Sequence, residues 1–182
     1  MPELLTESAL GDNMSEIIAC SIIIVRQDKI TMKDYPTKWT DLDFESLSWH
    51  DNVVHGIRLR NPHEGYDYDL VFDIDHILEW IETPSRFFQF IVAPATLTFR
   101  GVDKLKFNLE LGYKEHLEID WIEREEMTTK HAMRKYRWEI NMHSLSGKRN
   151  KISFEAQSFT QELTKKPIGP IGPINSLEDE ER

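Results

Sequence analysis

The sequence predicts a mainly β protein, an antiparallel β-sandwich or partly open barrel of about eight strands with one short helix. Three observations carry this expectation. Apolar residues recur with a period of two along most of the chain, as in strands with one buried face. Turn-forming clusters separate the alternating runs at short intervals, as hairpins require. No amphipathic run is long enough to make the crossover helix of a parallel unit.

In chain order, the first run sets Val53, His55, Ile57 and Leu59 against Val54, Gly56, Arg58 and Arg60. After the turn Asn61-Pro62-His63-Glu64-Gly65, a second run places Leu70, Phe72 and Ile74 on one face and Val71, Asp73 and Asp75 on the other. The stretch from His76 to Ile81 is the short helical candidate, stopped before Pro84. Phe88, Phe90 and Val92 form a third run, ended by Pro94, and Leu97 with Phe99 a fourth. Arg100-Gly101-Val102-Asp103 reads as a turn into a fifth, Leu105, Phe107, Leu109 and Leu111, whose alternate neighbours Lys104, Lys106, Asn108 and Glu110 are polar. The last three runs are Leu117, Ile119 and Trp121; Tyr136, Trp138, Ile140 and Met142; and Ile152, Phe154 and Ala156. The turn Ser144-Leu145-Ser146-Gly147-Lys148 joins the final pair.

These runs lie in a domain expected over 32–163, preceded by an extension (1–31) and followed by a tail (164–182). A chain of 182 residues suits one ordinary core. Met14 and Met32 are both plausible starts of a shorter product, so residues 1–31 read as an extension with a non-native start. The apolar run Ile17 to Val25 falls short of the roughly 20 residues that span a bilayer. Ile17-Ile18-Ala19-Cys20 has the local form of a lipoprotein cleavage site, but Glu3, Glu7, Asp12 and Glu16 replace the positive region such a signal needs. After Gln161, the Ile-Gly-Pro repeat from Pro167 to Ile174 removes backbone donors, and Glu178-Asp179-Glu180-Glu181 is acidic, so an extended tail over the domain surface is expected.

Composition narrows the function classes. A formal charge of −10 and a pI near 5.2 repel a phosphate backbone and favour a basic protein partner; nucleic acid and membrane partners are not expected. The exception is the basic, aromatic stretch Lys130 to Trp138, read as an exposed loop entering a strand. One cysteine, Cys20, precludes an intrachain disulfide and places the protein in a reducing, cytoplasmic setting. No Gly-rich phosphate loop and no Gly-x-Ser-x-Gly elbow occurs, and Cys20 has no histidine near it in sequence.

Chemistry, if present, concentrates between Trp49 and Trp80, which holds four of the seven histidines. His50, Asp51, His55, Asp73, Asp75 and His76 are the candidate metal ligands, because imidazole and carboxylate suit a divalent ion such as zinc. If Arg60 pairs with Tyr68, His55 faces Asp73 and Val53 faces Asp75, whereas a slip of one residue separates the set. The simpler reading is a Trp-His-Asp turn anchoring a strand, with Asp73 and Asp75 exposed at an edge or paired with arginines. Glu115, Glu118, Glu123, Glu125 and Glu126 read as a solvated acidic face. A small-ligand pocket lined by Phe88, Phe90, Phe99, Phe107 and Trp138 is a third reading, although aromatics at strand spacing usually form core.

Ser48-Trp49-His50-Asp51-Asn52, Phe72 to Trp80, Val92 to Phe99 and Phe159-Thr160-Gln161 resemble a family of small bacterial proteins with Trp-His-Asp and Asp-Ile-Asp motifs and no assigned activity. The resemblance runs from about Lys33 onward and implies a bacterial, cytosolic domain. Size, acidity and the Trp-His-Asp start are also similar to immunity proteins of toxin systems. The expectation is therefore a non-catalytic binding module with an acidic surface and no cofactor. Its rival is a metal-dependent enzyme built on the six candidate ligands.

Overall fold

The structure is a computed structural model that describes residues 33–62, 67–127, 135–172 and 175–182. It contains the strands β1 (Lys38–Thr40), β2 (Asn52–Arg60), β3 (Tyr68–Glu82), β4 (Phe88–Asn108), β5 (Leu117–Glu126), β6 (Tyr136–Ser144), β7 (Arg149–Ala156), β8 (Ser158–Leu163) and β9 (Ile168–Ile171). The expectations for residues 1–31, including Cys20 and the apolar run, lie outside the described residues, as do His63 and residues 130–134 of the basic stretch. No helix among the described residues is long and apolar enough to cross a membrane.

The mainly β, antiparallel expectation holds. The strands form one sheet in the order β1-β8-β4-β3-β2-β5-β6-β7, with β9 on β4. Because β7 also pairs with β4, the path β4-β3-β2-β5-β6-β7 returns on itself as a ring. Whereas Leu59, Phe88, Phe107, Leu109, Leu111 and Trp121 stay exposed, many apolar residues of the alternating runs point into this ring. Trp138, Phe72, Phe99 and Phe159 are almost completely buried there, with Leu70, Ile74, Leu97, Ile119, Ile140, Met142 and Ile152 filling between them. Each such side chain contributes about 1.5–3 kcal/mol of transfer free energy. Edge-to-face contacts, such as Phe99 with Trp138 at 4.9 Å between ring centres, order the aromatic part.

Several expectations about elements need correction. The stretch from His76 to Ile81 is not a helix but the second half of β3, paired with the start of β4. Its β-rich residues find a partner strand across the turn at Thr83–Phe87, where Arg86 takes a left-handed φ of 63°. The one helical element among the described residues is instead a 3-10 helix, Asp41–Ser46, where Thr40 N–H donates to Asp43 Oδ2 at 2.8 Å. It delivers Phe44 to the core, and the Arg124 guanidinium closes that end by stacking 4.2 Å from the Phe44 ring centre and donating to Asp41 O.

The three runs between Phe88 and Leu111 are largely one strand of 21 residues, β4. Pro94 does not end it, because its carbonyl accepts the Thr164 N–H at 2.8 Å while β3 continues alongside. The expected turn at Arg100–Asp103 is a bend within the strand. Gly101 adopts φ +61°, where a Cβ would sit 2.8 Å from the Gln157 side chain, and Lys104 adopts φ 52°. Beyond the bend β4 exchanges β8 for β7, as closure of a curved sheet requires.

The Ile-Gly-Pro segment is extended and lies on the domain, but it also joins the sheet. β9 pairs with β4 at Phe90 and Val92, and the backbone passes so close that a Cβ on Gly169 would lie 2.5 Å from Phe90 O. Ile168, Ile171 and the buried Leu177 pack with Ile77, Phe90 and Val92 into a second, smaller core on the outside of the ring. Phe88 and Phe107 are about half exposed while Phe90, Phe99 and Trp138 divide between the two cores, so the five aromatics line no common pocket.

Candidate functional site

Residues alternating with the ring's core side chains face outward, and on β3, β2, β5 and β6 these are mostly ionisable. The β2–β3 register decides how they meet. Arg60 pairs with Asp69, one residue from the expected Tyr68, which by itself would place His55 opposite Ile74. A bulge between Val54 and Gly56 absorbs the slip and restores Val53 opposite Asp75. His55, the bulged residue, reaches diagonally, and its Nε2 donates to Asp75 Oδ2 at 2.8 Å.

Asp75 is completely buried, and a buried carboxylate requires donors. It accepts the His55 imidazole, the Leu177 N–H at 2.8 Å and the Arg182 guanidinium, which also donates to Asp73 Oδ1 at 2.8 Å. Asp73 and Asp75 are thus paired with an arginine, as the simpler reading expects, but in the middle of the sheet under residues 175–182. His76 points elsewhere. It is buried edge-on to Trp39, and Asn52 Nδ2 donates to its Nδ1 at 2.8 Å while Asn52 Oδ1 accepts the Ile77 N–H. Burial pushes the His76 imidazole down to about 4, so it is neutral near pH 7. His50 is mostly exposed, stacks on Trp80 and lies 3.4 Å from Asp51.

The six candidate ligands therefore occupy separate places: His55, Asp73 and Asp75 beneath the 175–182 segment, His76 beside Asn52, and His50 with Asp51 at the turn before β2. Asp51 finds its partners on β5 and β6. Asp51, Glu118 and His143 each offer a ligand atom, and these atoms all lie within 4.8 Å of one another. Strand register makes this set, since Val53 pairs with Glu118 and Glu118 with His143. His143 Nδ1 donates to Asp120 Oδ1 at 2.7 Å, its Nε2 lies 3.3 Å from Glu118 Oε2, and His116 Nε2 donates to the other Glu118 oxygen at 3.0 Å.

Glu118 falls in the stretch expected as a solvated acidic face, and Asp120, His116 and His143 are not among the six candidate ligands. The signal was present in the alternation. With Leu117 and Ile119 buried, His116, Glu118 and Asp120 share the other face, and burial of Met142 turns His143 outward.

A second bulge, between Ile119 and Trp121, alters the next part of this face. In a regular strand Asp120 and Trp121 would point to opposite sides. Here Ile119 and Ile122 both face the core, and Asp120 and Trp121 line one shallow outer groove with Glu45, Ser48 and His50. The Trp121 side chain remains 48% exposed. On the far side of β2, a groove of about 420 Å³ is lined by Val54, His55, Ile57, Leu109, Leu111 and His116. Compared with protein-family models, curated proteins and solved structures, the chain matches none.

Proposed function

We propose that the protein is a binding module that presents the outer face of β5 to a basic protein partner. The observation that supports this reading best is the Asp120–Trp121 bulge. It holds a half-exposed indole among Asp120, Glu45 and, one alternation along the strand, Glu123. Tryptophan is enriched among the residues that carry most of the binding energy of protein interfaces, and the rim around such residues is polar. Carboxylates around an indole suit lysine and arginine side chains, by ion pairing at the rim and by cation–π contact on the ring. The overall charge of −10 steers the same class of partner.

The bacterial and cytoplasmic setting belongs to this reading, as does an immunity-like role in which the partner is a toxin encoded beside this chain. The geometry favours binding over a metal-dependent enzyme built on the six residues between His50 and His76, because hydrogen bonds tie Asp73, Asp75 and His76 into the architecture.

The test is one-to-one binding of the purified product of the adjacent gene, measured by light scattering and calorimetry. The expected result is a stoichiometric complex weakened at least tenfold by Trp121→Ala and weakened by added salt. Absence of a complex, or a complex indifferent to Trp121→Ala, overturns the proposal.

A further inference from the structure

Beside Trp121 the outer face gathers three carboxylates, Asp51, Glu118 and Asp120, around the single imidazole of His143. Like charges at this separation repel, and a bound cation would offset that repulsion. Among the described residues no lysine or arginine pairs with any of the three; their only ionic partners are His50, His116 and His143. Arg149 lies opposite His143 on β7 but forms no ion pair with them.

The imidazole is arranged as a ligand would be. Asp120, outside the group of three, lies 2.7 Å from Nδ1, so Nε2 is the ring nitrogen that faces the group, 3.3 Å from Glu118 Oε2. Carboxylates in this position are the regular outer support of metal-binding histidines, because they fix the tautomer and raise the basicity of the other nitrogen. Each ligand is also held by its own element. Glu118 and His143 are register partners on β5 and β6. Asp51 is set in a left-handed conformation of φ 61°, with its N–H on Ile119 O and its carbonyl accepting Asn175 Nδ2.

We propose that Asp51, Glu118 and His143 bind one divalent transition-metal ion, zinc in the first instance, with Asp120 as the positioning residue behind His143. One imidazole and two carboxylates make a three-ligand set that leaves a coordination position open to water or to a donor atom from outside. The mixed nitrogen and oxygen set favours zinc or manganese over calcium or magnesium, which take oxygen ligands almost exclusively.

The experiment is isothermal titration of the full-length protein with Zn²⁺ and, separately, with Mn²⁺, Mg²⁺ and Ca²⁺. Circular dichroism checks that every variant is folded. Wild type is expected to take one equivalent of zinc. His143→Ala and Asp51→Asn should each weaken binding more than a hundredfold, and Asp120→Asn about tenfold. His55→Ala, a histidine of the same face outside the group, should leave affinity unchanged. Absence of saturable zinc or manganese binding overturns the proposal. So does one equivalent that binds equally well to the folded His143→Ala and Asp51→Asn variants, since the ion then sits elsewhere in the chain.

Discussion

The inside and the outside of the ring use the same strands and opposite physics. Inside, Trp138, Phe99, Phe72 and their neighbours are fixed by shape and by exclusion of water. Outside, His55, Asp73, Asp75, Glu118 and Asp120 are each placed by a particular donor or acceptor, and the smaller core around Leu177 is tied to the sheet by the hydrogen bonds of Asp75 to Leu177 N–H and to Arg182. The lesson is that the ring is insensitive to its outer residues except where burial has committed a charge or an imidazole.

That difference is open to measurement. The largest effect belongs inside. Trp138→Ala should cost about 4 kcal/mol in a urea unfolding curve, as truncation of a fully buried indole typically does. A loss below about 1 kcal/mol would mean that the aromatic cluster is not what closes the ring. Next comes the buried carboxylate outside. Asp75→Ala leaves the Leu177 N–H unpaired and removes half of the Arg182 clamp, at about 3 kcal/mol. Hydrogen exchange should then show residues 168–182 losing protection while β5 to β7 retain theirs. Uniform loss would erase the distinction between the two regions.

His76 sharpens the comparison through pH. Its folded value of about 4 lies below the unfolded one near 6.5, so protonation favours the unfolded chain. Stability contributed by the neutral imidazole is complete above about pH 6.5 and declines progressively down to about pH 4, by roughly 3 kcal/mol in all. His76→Gln should flatten that part of the profile of unfolding free energy against pH, and an unchanged slope would assign the acid sensitivity to other groups. The smallest effect is expected at Trp121, which is half exposed. Trp121→Ala should change stability by less than about 0.5 kcal/mol while abolishing most of the partner affinity.

How much of this was legible in the sequence follows the same division. β6 and β7 read correctly because one face of each is buried and the alternation is clean, and β2 reads as a strand although the bulge at His55 breaks its alternation. β4 was read as three strands because Pro94 and Gly101 are ordinary stop signals, and only the closure of the ring turns them into a tolerated site and a bend. β3 was read partly as a helix because the residues after Asp75 lose their alternation, and β9 was missed because proline disfavours pairing in general. The outer site was half legible. Asp51 was named, but Glu118 and His143 are 25 positions apart and meet only through the β5–β6 register, and the bulges at His55 and Asp120 have no local sequence mark.

β4 pairs with β3, β7, β8 and β9, and two of these partners, β8 and β7, lie on either side of its bend. During synthesis the hairpin of β3 and β4 emerges with one edge bare, and its remaining partners are encoded some forty residues and more downstream. The nascent chain must carry a long, apolar, unpaired strand until residues 149–163 have left the ribosome. Truncations before that point should therefore aggregate or recruit chaperones rather than fold by halves.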